Sequence, residues 1–393
     1  MKRIFEKIVE GLLACSGFVT SITIVLIVLF LFSEAAGLFG DKVIEEGYVL
    51  AVHQGTGVDE LTPEEIKDVF DGEITNWKDV GGEDVPIRLF RLEDAERYFT
   101  EEQLGASYEN AGACITGLVA RTPGMVAFVP EQFVEHNDSV YLMKDNTISA
   151  KDVFVGAEWF PTATPAPLFG FLPLITGTLW VSLFAILIAL PFGLSVAIYM
   201  SEVAHPKIRN VLKPVIELLS GIPSVVYGFF GLIVIVPLLQ QVFNLPVGES
   251  GLAGSIVLAI MALPTIITVT EDAMRNCPRA MREASLALGA SQWQTIYRVV
   301  IPYSISGITS GVVLGIGRAV GETMAVLMVT GNAAVIPSSI LEPLRTIPAT
   351  IAAELGEAPA GGAHYASLFL LGVVLFFISL LINFTVEAVS KRK

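Results

Sequence analysis

Two opposite charges lie within a long apolar stretch of this sequence. The segment "GRAVGETMAVL" (317–327) carries Arg318 and Glu322, which are four residues apart. On a continuous helix, residues with this spacing share a face, so the two side chains are placed to form an ion pair. A guanidinium can also hold an oxyanion through charge-assisted hydrogen bonds, which makes Arg318 a candidate contact for an anion that crosses a membrane.

Small residues around Arg318 indicate which way this face points. With about 100° between successive residues, Gly307, Gly311, Gly315, Arg318 and Glu322 fall within a sector about 80° wide. Glycines at four-residue intervals allow a neighbouring backbone to approach closely. We therefore expect the face that carries both charges to point into a helix bundle and not toward lipid.

Two interpretations of the charged pair are open at this point. In the first, Arg318 and Glu322 form a buried ion pair that only holds helices together. In the second, Arg318 contacts a passing oxyanion, while Glu322 holds the guanidinium and weakens the attraction enough for release. We favour the second, because apolar residues in place of a buried ion pair are often neutral or stabilising.

Composition and segment length place the chain in a membrane. Hydrophobic residues make up 53% of the 393 residues, and charged residues only 16%. Six apolar segments are long enough to cross about 30 Å of hydrocarbon. They lie at about 11–32, 169–200, 215–243, 251–271, 303–331 and 366–389. The sequence therefore predicts an α-helical membrane protein with six spans.

Positive residues indicate the orientation, because short loops rich in Lys and Arg stay in the cytoplasm. The basic clusters are Lys2, Arg3 and Lys7; Lys207, Arg209 and Lys213; Arg275, Arg279, Arg282 and Arg298; and Lys391, Arg392 and Lys393. With six spans they all lie on one side, so we expect both termini in the cytoplasm and a multi-pass protein of the cell membrane. The first span could instead be a cleaved signal sequence, but its apolar run exceeds the usual core of about 7–15 residues, and we favour an uncleaved anchor.

Residues 41–160 differ from the rest of the chain in charge. They hold 25 of the 39 acidic and 9 of the 24 basic residues, a balance of −16 against +1 elsewhere, which argues against nucleic acid as a partner. The segments "YVLAVHQG", "VPIRLFRL" and "GMVAFVP" are typical of strands. A helix is expected in "TPEEIKDVFDG", capped by Thr62 and Glu65, and a second at about 108–121. We expect a small extracytoplasmic α/β domain.

Two sequence motifs typical of ATPases and of serine hydrolases are missing from the sequence. It contains no G-x-x-x-x-G-K-[ST] loop and no G-x-S-x-G motif, so we do not expect an ATPase or a hydrolase of those types. The histidines, His53, His136, His205 and His364, show no ligand spacing, and we expect neither a metal site nor a cofactor. Energy for uphill transport would come from another subunit or from an ion gradient.

The segment "CPRAMREASLALGASQWQTIYRVVIP" (277–302) contains signals for a helix, a sharp turn and a second helix. Pro278 suits the first turn of a helix and Gly289 its C-terminal cap. Ser291 and Gln294 can then form a capping box for the next helix. On periodicity alone, this segment is either an amphipathic loop on the membrane surface or a protein-docking element.

The same segment resembles the EAA loop of ABC importer membrane subunits. Glu283, Ala284, Ser285 and Gly289 are followed, after nine residues, by "VVIP", which departs from the family pattern only in mild substitutions. The resemblance implies a coupling helix seated in a groove of a cytoplasmic ATP-binding subunit dimer. The residues implied in this coupling are Arg279, Arg282, Glu283, Ala284, Ser285 and Gly289.

Three further segments resemble the PstC-type permeases of phosphate-uptake importers: "EVAHP" (202–206), "ELLSGIPSVVYGFFGL" (217–232) and "GRAVGETMAVLMVTGN" (317–332). The resemblance implies a six-span type I ABC importer permease that carries inorganic phosphate, with Arg318 and Glu322 in the path. It also implies a second, PstA-like permease subunit and a separate extracytoplasmic phosphate-binding protein. The domains are then 1–40, the first transmembrane helix; 41–160, the inserted α/β domain; and 161–393, the permease core.

Helix breakers beside hydroxyl groups indicate a further part of the path. Gly221 and Pro223 interrupt the third span between Ser220 and Ser224, whose hydroxyls could solvate a substrate. Pro191 and Pro264 interrupt other spans, where we favour ordinary packing kinks over hinges.

The stretches 61–87 and "ARTPGMVAFVP" resemble part of one lobe of the phosphate-binding proteins that deliver substrate to such permeases. In that family an R-x-D-x-S-G-T loop grips the anion. Here Arg91 is followed by "LEDAERYF", which puts Glu93, Asp94 and Glu96 near the expected hydroxyls. Because carboxylates repel phosphate, we predict that this domain binds none and acts as a docking platform or a gate cover.

Two other classes of protein remain as alternatives. An ion-coupled secondary anion carrier would transport without a partner ATPase and would not need an EAA-like loop. A membrane sensor with an accessory outer domain would not require Arg318 or Glu322 for transport. Sequence alone does not decide whether the permease pairs with itself or with a different subunit.

Overall fold

The computed structural model describes residues 2–44, 47–105, 108–143 and 147–391; Arg392 and Lys393 of the C-terminal basic cluster lie outside them. The described chain divides into two compact units. The helical unit comprises the chain up to Ala35, Leu172–Pro359 and the chain from Leu368. The α/β unit comprises Ala36–Phe171 and Ala360–Ser367.

Helices dominate the described residues. In chain order they are α1 (Lys2–Ala36), α2 (Pro63–Asp71), α3 (Ala95–Tyr98), α4 (Glu101–Leu104), α5 (Ala111–Arg121), α6 (Ala150–Val155), α7 (Leu172–Ile198), α8 (Pro206–Ser220), α9 (Ser224–Phe230), α10 (Val236–Phe243), α11 (Gly251–Arg275), α12 (Arg279–Ala287), α13 (Gln292–Thr295), α14 (Ile301–Tyr303), α15 (Ile305–Gly321), α16 (Met324–Val329), α17 (Ile347–Glu354) and α18 (Ala363–Lys391). Three π-helical segments, Tyr199–Val203, Gly231–Ile235 and Ile296–Val300, extend or join them.

Five helical stretches among the described residues are long and apolar enough to cross a membrane. They are Val9–Gly40, Leu172–Val203, Ser224–Phe243, Gly251–Arg275 and Ala363–Ala388. A sixth crossing is possible if the pair Gln292–Tyr303 and Ile305–Gly321, which is bent by 70°, counts as one span. The structure thus has the predicted helical membrane architecture, with five to six spans.

The third and fifth spans differ from their predicted extents. The predicted span 215–243 is wrong at its start, because α8 ends at Ser220 and the apolar crossing begins only at Ser224. Gly221, Ile222 and Pro223 separate the two helices, since proline donates no backbone hydrogen bond and restricts the residue before it. The predicted continuous span 303–331 is also wrong, because α15 ends at Gly321 and α16 begins at Met324.

The α/β unit is built around a four-stranded sheet of order β2-β3-β1-β4. Its strands are β1 (Tyr48–His53), β2 (Arg88–Arg91), β3 (Met125–Pro130) and β4 (Val140–Leu142). The central strand β3 pairs antiparallel with β1 and parallel with β2, and β4 pairs antiparallel with β1. The three predicted strands and the two predicted helices, α2 and α5, are therefore confirmed.

Local chemistry explains where α2 begins. Glu65 Oε2 accepts a hydrogen bond from the Thr62 backbone N–H at 2.8 Å, and Thr62 Oγ1 accepts one from the Glu65 N–H at 3.3 Å. This is the predicted capping box, with Pro63 at the first helical position. The α/β unit extends past residue 160, because β5 (Trp159–Phe160) pairs with β6 (Leu168–Phe169) and the fully buried Phe171 donates to Val153 O at 2.7 Å.

Candidate translocation site and coupling loop

The glycine face of α15 packs closely against α11, as the sequence predicts. A Cβ added to Gly315 would lie 2.7 Å from Ile266 Cγ1, and one added to Gly311 would lie 3.1 Å from Thr270 Oγ1. Real Cβ atoms essentially never approach to under 3.0 Å, so only glycine fits at position 315 without displacing Ile266. Arg318 lies on the same regular helix and the same sector, and its side chain is half-buried.

The predicted pairing of Arg318 with Glu322 is wrong. Glu322 lies beyond the end of α15, with φ −72° and ψ 133°, so the i, i+4 geometry of a continuous helix does not apply. In the described part of the chain, no ion pair or hydrogen bond of the Arg318 guanidinium is found. Glu322 Oε1 instead accepts the Ala325 backbone N–H at 3.4 Å.

Helix ends account for the separation of the two charges. Arg318 lies in the last turn of α15, where the partial negative charge of the helix C-terminus favours a cation. Glu322 precedes α16, where free N–H groups favour a carboxylate. Each charge is therefore stabilised by a different helix end, and neither needs the other.

Tyr227 lies at the break in the third span. Its hydroxyl donates to Leu219 O at 2.8 Å, across the turn that separates α8 from α9, and a Cβ added to the next residue, Gly228, would lie 2.9 Å from Ala325 Cα of α16. Ser224 begins α9 and is half-buried, whereas Ser220 is exposed and its hydroxyl donates to Glu217 O at 2.7 Å within α8. The helix that follows the break, α9, therefore packs against α16, the helix that follows Glu322, and Tyr227 bridges the break itself, a residue that the sequence analysis did not single out.

The coupling loop has the predicted shape. Helix α12 follows Pro278, which lies at the N-cap, one residue before the predicted first turn. Gly289 has φ +86°, the left-handed conformation that ends a helix at low cost for glycine, and its N–H donates to Leu286 O at 2.9 Å. The Ser291 and Gln294 capping box then begins α13. The local turn signals of the sequence are confirmed here.

The residues implied in ATPase coupling divide between two environments. Arg279, Glu283, Ala284 and Gly289 are exposed. Arg282 instead turns toward its own chain, where Nη2 lies 2.7 Å from Glu202 Oε1. Ser285 also points inward, with its hydroxyl 2.9 Å from Thr295 Oγ1.

In the α/β unit, Arg91 is engaged by its own chain. Its Nη2 donates to Phe70 O at 3.1 Å, and the guanidinium carbon lies 5.4 Å from the centre of the Phe70 ring. Asp94 pairs with Arg97 at 2.8 Å, and Glu93 is exposed. Within the described residues, no group of three or more His, Cys, Asp or Glu side chains is arranged to hold a metal ion.

Comparison with known proteins identifies the family. Residues 189–393, just over half of the chain, match the family model of the binding-protein-dependent transport system inner membrane component. The chain belongs to this family. Residues 32–164 match a second model, the PBP superfamily domain, which corresponds to the α/β unit. The chain is therefore a membrane permease that carries an inserted domain of the PBP superfamily.

Individual relatives support the same assignment. The Bacillus subtilis protein named "Probable ABC transporter permease protein YqgH" is 42% identical over 248 residues, which cover 63% of this chain and 80% of that protein. The phosphate transport system permease protein PstC of Mesorhizobium japonicum is 41% identical and covers 54% of this chain and 71% of its own length. Among solved structures, one of the MetNI methionine ABC transporter aligns over 56% of this chain and 95% of its own chain, at 18% identity and a TM-score of 0.44, and carries no weight in the assignment.

One ionic cluster of the permease was missed by the sequence analysis. Glu271 near the end of α11 is 1% exposed and pairs with Arg209 at 2.7 Å and with Lys213 at 3.0 Å, both on α8, while Arg275 Nη1 lies 3.8 Å away. Lys213 also pairs with the exposed Asp272 at 2.8 Å. The sequence signal that could have revealed this cluster is the acidic pair Glu271 and Asp272, which directly follows the apolar run of α11, together with the basic residues of α8.

Proposed function

We propose that this chain is the permease subunit of an ATP-driven inorganic phosphate importer and forms half of its translocation path. The observation that carries the proposal is the position of Arg318, a half-buried cation in the last turn of a glycine-faced membrane helix. An intramembrane arginine is costly, by about 2.5–3.5 kcal/mol on insertion scales, and usually lines a wet path or has a partner. The phosphate transport permeases among the relatives support phosphate as the anion.

Each residue of the proposed path has a distinct role. Arg318 binds the oxyanion, and the Ser224 and Ser220 hydroxyls solvate the path at the break between α8 and α9. Glu322 no longer holds the guanidinium in this proposal, because it caps α16. Its negative charge, four residues from Arg318, instead opposes prolonged retention of the anion.

The coupling loop supplies the contact with the ATPase in this proposal. Leu288 is 90% exposed at the end of α12, and Trp293 and Tyr297 are exposed just after the turn. Exposed apolar and aromatic side chains beside exposed Arg279 and Glu283 suit a helix-in-groove contact with a cytoplasmic ATP-binding subunit dimer. The loop and both chain termini then lie in the cytoplasm, and ATP is hydrolysed by the partner and not by this chain.

Two further partners complete the proposed importer. A second, PstA-like permease subunit forms the other half of the path, and a separate phosphate-binding protein delivers the substrate. The α/β unit, with its acidic composition and its occupied Arg91, serves as a docking platform or gate cover for that protein.

Uptake into vesicles tests this function. Vesicles that contain the chain, its permease partner, the ATPase and the binding protein should accumulate radiolabelled phosphate only when ATP is supplied. Arg318→Gln should abolish uptake without loss of the ATPase from the purified complex. Arg121→Gln, the same change at an exposed position of the α/β unit, serves as the matched control and should transport normally.

Three results contradict the proposal in different ways. Undiminished uptake by Arg318→Gln would remove Arg318 from the path. Phosphate uptake by the chain without the ATPase would indicate an ion-coupled carrier. A chain that never co-purifies with an ATP-binding subunit would favour a sensor.

A further inference from the structure

Helix α12 is attached to the rest of the permease mainly through polar contacts. None of its residues is buried, so apolar packing contributes little to holding it in place. Arg282 makes the largest set of these contacts. If a partner protein displaces α12, the displacement reaches the rest of the permease through these few contacts.

Arg282 joins α12 to the ends of two membrane helices. Its Nη2 donates to Met274 O in the last turn of α11 at 2.9 Å, and its Nη1 donates to Cys277 O, two residues after the end of that helix, at 3.0 Å. The same Nη2 lies 2.7 Å from Glu202 Oε1, and only 9% of the Glu202 side chain is exposed. The partial negative charge of a helix C-terminus adds to the attraction for the guanidinium.

Glu202 contacts residues from both helices of the coupling loop, α12 and α13. It belongs to the π-helical segment Tyr199–Val203 that continues α7. Its carboxylate binds Arg282 of α12, and its backbone carbonyl accepts a hydrogen bond from Gln292 Nε2 of α13 at 3.0 Å. One residue at the end of α7 thus fixes the turn from two sides, and π-helical segments frequently occur at functional sites.

Helix α7 and helix α15, which carries Arg318, both pack closely against α11. A Cβ added to Gly193 of α7 would lie 2.8 Å from Ile266 Cγ2, and one added to Gly315 of α15 would lie 2.7 Å from Ile266 Cγ1. Both glycines therefore close on one isoleucine of α11. Close-packed contacts of this kind transmit displacement because interiors are poorly compressible.

We infer that Arg282 and Glu202 are positioning residues that transmit the movement of α12 to α7 and α11, and that Arg282 is not a contact of the ATPase. The inference rests on the proposed function in one respect, namely that α12 receives the ATPase. It departs from the implied role of Arg282, since its guanidinium is held by three acceptors of its own chain.

A spin-label measurement tests the transmission without depending on phosphate. One label is placed at Ala287 of α12 and one at Ser195 of α7, both exposed, in full-length chain lacking Cys15 and Cys114 and assembled with the ATPase. The distance between labels is compared in the nucleotide-free and vanadate-trapped complexes. With Arg282 and Glu202 intact it should stay the same, and with Glu202→Gln or Arg282→Gln it should change on trapping. A change in the intact complex, or none in the variants, would overturn the inference.

The ratio of phosphate transported to ATP hydrolysed gives the functional readout. Both variants should keep the ATPase bound and active while this ratio falls by about tenfold, within the roughly 5–150-fold typical of coupling between sites. The double variant should be no worse than the worse single variant, because both changes remove the same bond. Arg279→Gln, at an exposed position of the same helix, should combine additively with Glu202→Gln.

The remaining outcomes are also decisive. An unchanged ratio, or additive effects of Arg282→Gln and Glu202→Gln, would overturn the inference. So would loss of the ATPase from a folded Arg282→Gln permease, because that would make Arg282 an ATPase contact. If Arg282→Gln does not fold, Glu202→Gln, which keeps the shape of the side chain, decides alone. Failure of the unaltered complex to move phosphate would contradict the proposed substrate but would leave the label distances interpretable.

Discussion

Substitution of Glu271 by glutamine removes the negative charge at the centre of the cluster that joins α8 to α11. The carboxylate is buried and contacts Arg209 at 2.7 Å and Lys213 at 3.0 Å. Glutamine keeps the size of the side chain and one oxygen acceptor. The substitution therefore isolates the contribution of the charge, and both cations stay in place beside a neutral group.

The size of the effect follows from the geometry. With an effective dielectric constant of ~20, unit charges at these separations attract each other by roughly 5–6 kcal/mol before desolvation is counted. Breaking a buried pair by removing one partner typically costs ~3–5 kcal/mol. We expect the low end, about 3 kcal/mol, because Arg209 and Lys213 are 20% and 27% exposed and Lys213 keeps its bond to Asp272.

The free energy of unfolding of the purified permease in mixed micelles, measured by denaturant titration, tests this value. Asp272→Asn is the control, since the Asp272 side chain is 55% exposed and its one ion pair among the described residues is with Lys213; we expect it to cost under about 1 kcal/mol. Equal and small losses for the two variants would refute the buried-cluster reasoning.

The pH dependence gives a second check on the same cluster. The hydrogen bond to Asp272, opposed by burial and aided by Glu271, raises the pKa of Lys213 above 10.5. A raised lysine pKa contributes stability that is fully present below the unfolded value of about 10.4 and is lost as the pH rises through the folded value. The stability difference between the unaltered permease and Glu271→Gln should therefore shrink only above pH 10.5.

Two other features of the structure give testable outcomes. Gly315→Val should lower the free energy of unfolding of the permease by about 1–3 kcal/mol, because the added atoms overlap Ile266. Gly317→Val is the control and should cause no such loss, because nothing lies within 4 Å of its added Cβ. Equal free energies of unfolding for the two variants would show that α11 moves to accommodate the larger side chain. The α/β unit, purified as residues 36–171, should show no phosphate binding in a calorimetric titration, because the Arg91 guanidinium is bonded to Phe70 and acidic residues follow it. Binding at about millimolar affinity or tighter would demonstrate an anion site that the Arg91 contacts do not explain.

Features that depend on neighbouring residues were predictable from the sequence. The turn between α12 and α13 is fixed by Gly289, Ser291 and Gln294, whose backbone preferences and capping bonds act within a few residues. The capping box at Thr62 and the strands of the α/β unit follow from the same kind of local signal. Such features need no knowledge of the tertiary structure.

Features that depend on distant contacts were not predictable. Glu271 meets Lys213 and Arg209 across 58 and 62 residues of sequence, and no local pattern specifies that encounter. The interruption of the fifth span at Glu322 was missed because the hydrophobic pattern continues through it without proline. There, helix continuity competes with the capping of α16 by Glu322, and tertiary packing decides the outcome.

The interruption at Glu322 changes how the proposed anion site would work. If Arg318 and Glu322 were paired, phosphate would have to displace a carboxylate from the guanidinium before binding. With the charges held at separate helix ends, Arg318 gives up only a dipole interaction worth about 0.3–1 kcal/mol, whereas a hydrogen bond to a charged group contributes about 1.5–3 kcal/mol. Anion binding at the proposed site would then be favourable at a modest level, and the Glu322 carboxylate, which accepts the Ala325 N–H, would limit how tightly the anion is held. Affinity that is sufficient for capture but weak enough for release is what a conducting site requires.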